Sequence, residues 1–298
     1  MYPRPFHYHR AGSLQEAATM LAQLGEEAKL LAGGQSLIPL MKLRFANPRH
    51  LVDLNFVSGT SYIKESDGAV QLGALTRHAK IENSSMITSR FPILHDCAAG
   101  IADVQVRNRG TIGGSLAEAD PSGDWAAALL TQKTEVKCLS PRGERTLPLA
   151  NFISDAYTTV LDRDELVREV VVKVPEESSG GAYLAFKRSA PVYPTASAAV
   201  QFTVENDICK DAAIVVGCIS LVPLKVTAAE DALRGRKVDD KAITIVMEAV
   251  RAAADPQPDM RGSAEYKRAL AASLVKRAIE IALRRARGER VEVSHIYA

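Results

Sequence analysis

The run Leu30-Leu31-Ala32-Gly33-Gly34-Gln35-Ser36-Leu37 constrains this chain more than any other. Two apolar residues suited to a buried strand lead into a glycine pair and then a helix start. Gly33 and Gly34 carry no Cβ, so they accept positive φ and let a ligand approach the backbone closely. Ser36 is an N-cap candidate for Leu37-Ile38-Pro39-Leu40-Met41, and Pro39 falls in the first turn, where proline is tolerated. Such a unit aims several N–H groups at one point beside the positive end of a helix, which suits a phosphate. Taken alone, the signal is weak, because many strand–glycine–helix turns bind nothing.

A second run, Arg109-Gly110-Thr111-Ile112-Gly113-Gly114-Ser115-Leu116, repeats the chemistry: a glycine pair, a small hydroxyl residue and an apolar flank. Two such nests in one domain are able to hold the two phosphates of a dinucleotide from two sides. Neither fits G-x-G-x-x-G or G-x-x-x-x-G-K-[ST], which disfavours the ordinary dinucleotide fingerprint and the P-loop.

The stretch AGGQSLIPLMKLRFANP, together with QVRNRGTIGGS from Gln105 to Ser115, closely resembles the FAD-binding medium subunit of molybdenum hydroxylases, the carbon monoxide dehydrogenase and xanthine dehydrogenase relatives. The resemblance covers the whole chain in order. It implies an α+β fold: an FAD-binding domain of the vanillyl-alcohol-oxidase (PCMH) type over 1–177, with subdomains of about 1–57 and 58–177. A small C-terminal α+β domain of the carbon monoxide dehydrogenase flavoprotein type, an antiparallel sheet plus helices, is implied over 178–298.

The totals agree with an ordinary globular protein. The 298 residues are 47% hydrophobic and 24% charged with a net charge of +2, which argues neither for nor against an anionic partner. No apolar run approaches the ~20 residues of a membrane span. Met1-Tyr2-Pro3-Arg4-Pro5 has no apolar signal region, so a cytoplasmic location is expected. Cys97, Cys138, Cys209 and Cys218 show no cluster spacing, so no iron–sulfur centre is expected on this chain. That counts against the 4-hydroxybenzoyl-CoA reductase branch, whose flavin subunit has an extra cluster loop.

In chain order, Ser13-Leu14-Gln15-Glu16 is a capping box, and Gly25 stops the helix. Strands are expected at 28–31, 51–54 and 70–74, and helices at 37–45 and 87–99. Thr76 is a cap candidate for a short helix. Asp120 before Pro121 reads as a cap with proline at N1. Asp124 then lies on that helix's first turn, where it suits either a ribose diol or the helix dipole. Arg107 and Arg109 suit either a phosphate or solvent. The run 135–149 is a hairpin, 165–174 a strand, and Glu176 to Gly181 the clearest linker. Beyond it come strands at 182–188, 198–205 and 212–221 and helices near 228–234, 239–254 and 263–287. The arginines at 284, 285 and 287 favour a helix C-terminus, and no aromatic residues interleave with them, so nucleic acid is not an expected partner. His7 and His9 alternate on an edge strand and read as surface histidines.

The chain has no G-x-S-x-G, no H-E-x-x-H and no histidine cluster with ligand spacing. Redox chemistry must therefore come from a bound cofactor. The resemblance implies FAD that receives electrons from [2Fe–2S] clusters and passes them to an external acceptor. Those clusters and the molybdenum cofactor are expected only on partner subunits, a small iron–sulfur and a large molybdenum chain, in a dimer of heterotrimers. By resemblance, Leu30, Leu31, Ala32, Gly33, Gly34, Gln35, Ser36 and Leu37, with Thr111, Ile112, Gly113, Gly114 and Ser115, hold the pyrophosphate. Asp124 binds the sugar chain, Ile101 lies against the isoalloxazine, the Val167 backbone touches the ring, and Lys187 sits near its polar edge. Tyr193 covers the flavin, or simply packs beside Pro194. Many relatives have His or Asn at Gln35, Asn at Ser115 and an acidic residue at Val192. No His or Cys invites a covalent link, so non-covalent FAD is expected. A stand-alone flavin oxidoreductase with its own substrate is the alternative, and a non-catalytic scaffold a third reading.

Overall fold

The structure, a computed structural model, describes residues 2–293 and 296–297. The chain folds as two compact units, each assembled from separate segments. The first comprises Met1–Lys80, Val104–Ala119 and Thr134–Val172, and the second Ile81–Asp103, Asp120–Lys133 and Lys173–Ala298.

The chain opens with β1 (His7–Arg10), α1 (Leu14–Leu24), β2 (Ala28–Leu31), α2 (Leu37–Leu43) and β3 (His50–Asp53). β1, β3 and β2 form a parallel sheet in that order, with the helices as the crossovers parallel pairing requires. The Ser13 hydroxyl caps α1 by accepting from the Glu16 amide at 3.0 Å. Glu16 reaches back 2.7 Å to the Gly12 amide, one residue short of closing the capping box. Gly25, at φ 64, ends the helix.

Next come β4 (Ile63–Ser66), β5 (Ala69–Gly73), α3 (His78–Glu82), α4 (Ser85–Arg90) and α5 (Pro92–Gly100). The single helix expected over 87–99 is thus two. Phe91, before Pro92, has φ −136 and ψ 60, and the proline starts a new helix. Thr76 caps nothing: its hydroxyl accepts from the Tyr62 amide and donates to the Tyr62 carbonyl.

Then follow α6 (Val104–Arg107), α7 (Ile112–Glu118) and α8 (Trp125–Leu130). Asp120 does not cap α8 either. Its Oδ1 accepts from the Ser122 amide at 2.8 Å in a local turn, and the helix begins only at Trp125. The strands β6 (Thr134–Ser140) and β7 (Gly143–Pro148) make the expected hairpin. β8 (Ile153–Asp155) and β9 (Thr158–Thr159) make a smaller one, and β10 (Leu166–Lys173) follows. The second sheet has the order β4-β5-β10-β6-β7. Ala17 and Ala18 of α1, Val52 of β3, Leu139 of β6 and Leu166 of β10 share one buried cluster. Each fully buried Val or Leu there contributes roughly 1.5–3 kcal/mol relative to exposure.

The remaining elements are β11 (Ser179–Lys187), β12 (Ala196–Glu205), β13 (Ile208–Gly217), β14 (Leu224–Lys225), α9 (Thr227–Leu233), α10 (Asp240–Ala253), α11 (Ala264–Ala286) and β15 (Ile296–Tyr297). The sheet order is β14-β13-β12-β11-β15, antiparallel from β14 to β11, with β15 parallel to β11. α11 lies on β11 and β12 through Ala271, Leu274, Val275, Ala278 and Ala282. The glycines of the expected linker belong to β11. A Cβ on Gly180 would lie 1.9 Å from the Ala282 carbonyl oxygen, so the strand needs glycine to let α11 settle on it. Among the described residues no helix is long and apolar enough to cross a membrane.

Candidate cofactor site

In the first unit, β2 ends at Leu31 and the chain turns through Gly34, left-handed at φ 74, before α2 starts. Ser36 is already helical and its side chain caps nothing. Among the described residues the amides of Gly34, Gln35, Ser36 and Leu37 and the Ser36 hydroxyl have no protein partner. Four consecutive unpaired donors at a turn form a concavity for an anion. Behind them, Gly33 is buried against the second glycine run: a Cβ there would lie 2.5 Å from the Arg109 carbonyl oxygen and 2.7 Å from the Gly110 Cα.

That second run is not the copy its composition suggests. Its glycine pair lies inside α7, and its amides are already bonded. Ile112 donates to the Thr76 carbonyl at 3.1 Å, and Gly113 to the Ala74 carbonyl at 2.9 Å. Gly114 donates to the capping Thr111 hydroxyl at 3.1 Å, and Ser115 to the Thr111 carbonyl at 3.0 Å. Gly113 is glycine because a Cβ would lie 2.6 Å from that of Ala74. The pattern reports a docked helix start, a tertiary contact that no local spacing encodes.

A polar network unforeseen in the sequence joins the two runs. Asn55, just past β3, donates from Nδ2 to the Ala32 carbonyl at 2.8 Å. The Arg77 guanidinium donates to both Asn55 Oδ1 and the Arg109 carbonyl. Asp53 accepts from the Asn55 amide at 2.8 Å and from the Tyr8 hydroxyl at 2.7 Å. Burial raises the Asp53 carboxyl, but these bonds and the Arg109 charge hold it below its ordinary value. His78 packs under Gly110, where a Cβ would lie 2.6 Å from Nε2. Burial, reinforced by Arg77 and Arg107, pushes its pKa down to about 3, so the ring is neutral at pH 7. Val167 is buried on β10 beside a bulge in the pairing with β6.

The second unit gathers Asp124, Lys187 and the turn at Gly100–Ile101. Lys187, 3% exposed at the end of β11, donates to the Gly100 carbonyl and lies 4.0 Å from Asp124 Oδ1. Asp124 sits at the N-cap position of α8 but turns its carboxylate inward, accepting from the Tyr183 hydroxyl at 2.7 Å. Burial raises the Asp124 carboxyl, and the Lys187 charge opposes it. Tyr183 is a further residue that sequence reasoning missed, because its place in the buried run of β11 marks only burial. Its amide donates to Asp96, which is bound by both guanidinium nitrogens of Arg285 at 2.6 and 3.0 Å. Ile101 is buried directly after α5, and Tyr193 is exposed on the loop between β11 and β12.

A family model described as the FAD binding domain in molybdopterin dehydrogenase matches residues 4–176, and one for the CO dehydrogenase flavoprotein C-terminal domain matches 181–282. The chain belongs to the flavin subunits of the molybdopterin dehydrogenases. It is 36% identical over 282 residues to the carbon monoxide dehydrogenase medium chain of Hydrogenophaga pseudoflava, covering 95% of this chain and 98% of that one. It is 37% identical over 296 residues to subunit alpha of the 6-hydroxypseudooxynicotine dehydrogenase complex of Paenarthrobacter nicotinovorans, covering 99% and 100%. A solved carbon monoxide dehydrogenase from Hydrogenophaga pseudoflava superposes with a TM-score of 0.93 at 38% identity, covering 96% and 99%.

As a flavin subunit the chain is an oxidoreductase component whose cofactor is FAD. The residues present fit that group. The unpaired amides from Gly34 to Leu37 suit a pyrophosphate, and the glycine backbone leaves it room.

Proposed function

We propose that this chain is the electron-relay subunit of a heteromeric molybdenum hydroxylase, and that it holds FAD non-covalently. Electrons arrive from [2Fe–2S] clusters on a small partner subunit, a large partner carries molybdenum, and an external acceptor takes the electrons. The assembly is a dimer of heterotrimers in the cytoplasm. The carrying observation is the row of unpaired amides from Gly34 to Leu37. The relatives named as a medium chain and as a complex subunit support the rest.

Bound FAD supplies the electron-carrying chemistry. The protein's residues bind and orient it. The Leu30–Leu37 run grips the pyrophosphate through its amides. Thr111–Ser115, with the amides of Ile112 to Ser115 already bonded, backs the grip and offers the Ser115 hydroxyl. Asp124 binds the sugar chain, Ile101 and the Val167 backbone lie against the ring, Lys187 meets its polar edge, and Tyr193 covers it. In this reading the substrate chemistry, and with it substrate choice, lies on another chain.

The test is capture of the native assembly through a tag on this chain, followed by flavin, iron and molybdenum analysis. Flavin with both metals on co-purifying subunits is the expected result. Flavin without metals or partners contradicts the relay reading.

A further inference from the structure

The two glycine runs are far apart in sequence, yet among the described residues only the first presents a row of unpaired amides, and its geometry depends on the other. Each run has an anchored neighbour. Asn55 follows β3 and binds the first run at the Ala32 carbonyl at 2.8 Å. Residues 77–78 run along the second: Arg77 bridges Thr111 by backbone pairing, and the His78 amide donates to the Gly110 carbonyl at 3.1 Å. The two anchors then join, because the Arg77 guanidinium donates to Asn55 Oδ1 and to the Arg109 carbonyl.

The Asn55 side chain works in only one orientation. Asp53 Oδ1 accepts from its backbone amide at 2.8 Å and from Nδ2 at 2.6 Å. A carboxylate accepts and cannot donate, so Nδ2 faces Asp53 and Ala32, and Oδ1 faces Arg77. Tyr8 fixes Asp53 in turn from β1, at 2.7 Å. Arg77 is in place on the other side because a guanidinium presents several donors in a fixed plane and can bridge two oxygens.

We infer that Asn55 and Arg77 are positioning residues for FAD, a cross-brace that holds the Gly33–Leu37 loop against Arg109–Gly110 so that its amides face the pyrophosphate. This rests on the flavin reading above. The brace bonds carbonyl oxygens at the back of each loop and leaves the amides of Gly34 to Leu37 for the ligand.

The test uses the full-length apoprotein, titrated with FAD and separately with ADP, which shares the pyrophosphate. The variants are Asn55→Ala, Arg77→Gln, Arg77→Lys and the Asn55→Ala/Arg77→Gln double. Each single change weakens FAD and ADP by the same factor, roughly tenfold or more, while circular dichroism shows the apoprotein still folded at the titration temperature. The double falls little below the weaker single, because residues acting as one unit are non-additive. Arg77→Lys does not rescue, since a point charge cannot span both oxygens. Losses that multiply in the double, full rescue by lysine, or unchanged affinity in the single variants overturns the brace. Wild-type chain that takes up no FAD contradicts the flavin reading, and the brace with it.

Discussion

Gly33 and Arg109 meet backbone to backbone: a Cβ on Gly33 would stand 2.5 Å from the Arg109 carbonyl oxygen. Because the obstacle is main chain, a substitution must push the loops apart. Gly33→Ala is therefore expected to cost about 1–3 kcal/mol of stability. The loop that moves carries the unpaired amides, so FAD affinity falls with it. Flavin fluorescence titration of the variant checks this, and wild-type affinity would contradict it.

The neutral His78 makes the first unit acid-sensitive. Its folded pKa is about 3, whereas an unfolded histidine titrates near 6.5. Between these values the unfolded chain binds a proton that the folded chain refuses. The stability is fully present above about pH 6.5 and is lost as the pH falls, by up to about 5 kcal/mol near pH 3. Melting of the apoprotein between about pH 5 and pH 7 should show this slope, and His78→Gln should flatten it. Equal slopes in the two proteins would rule out His78 as the source.

Lys187 and Asp124 form a buried pair, 3% and 6% exposed, with Oδ1 also held by Tyr183. Lys187→Met strands the carboxylate and is expected to cost roughly 3–5 kcal/mol. Adding Asp124→Asn removes the stranded charge and restores much of the melting temperature. FAD affinity stays low in the double variant if both groups contact the cofactor as proposed. Recovery of both properties would make the pair purely structural.

Gly180 and Gly181 differ in what surrounds them. A Cβ on Gly180 meets the main chain of α11, at the Ala282 carbonyl oxygen. On Gly181 the nearest atom is Oε1 of Gln201, the far end of a flexible side chain. Gly180→Ala is therefore expected to lower the melting temperature well beyond Gly181→Ala. Thermal unfolding of both variants decides it, and equal losses would contradict the packing account.

What the sequence disclosed was local. The Leu30–Leu37 strand, turn and helix, the Ser13 cap and the three C-terminal helices follow from periodicity and punctuation, and all are present. The misreadings have one cause. Gly180 and Gly181 read as a linker because glycine signals flexibility and close packing alike. Ser36, Thr76 and Asp120 read as caps, although a turn, the Tyr62 backbone and an Asx bond claimed them. The glycine pair at 113–114 read as a second nest because its amides look available until Ala74 and Thr76 are folded beside it. Asn55 and Arg77 left no signal at all, since each is ordinary in its own segment and they meet only in the fold.

Amide hydrogen exchange, followed by mass spectrometry on the apoprotein and the FAD-loaded chain, tests the central claim most directly. FAD should newly protect the amides of Gly34 to Leu37, which lack partners without it. Those of Ile112 to Ser115 should change little, because the protein already bonds them. FAD bound at full occupancy with no added protection across Gly34 to Leu37 would contradict the account.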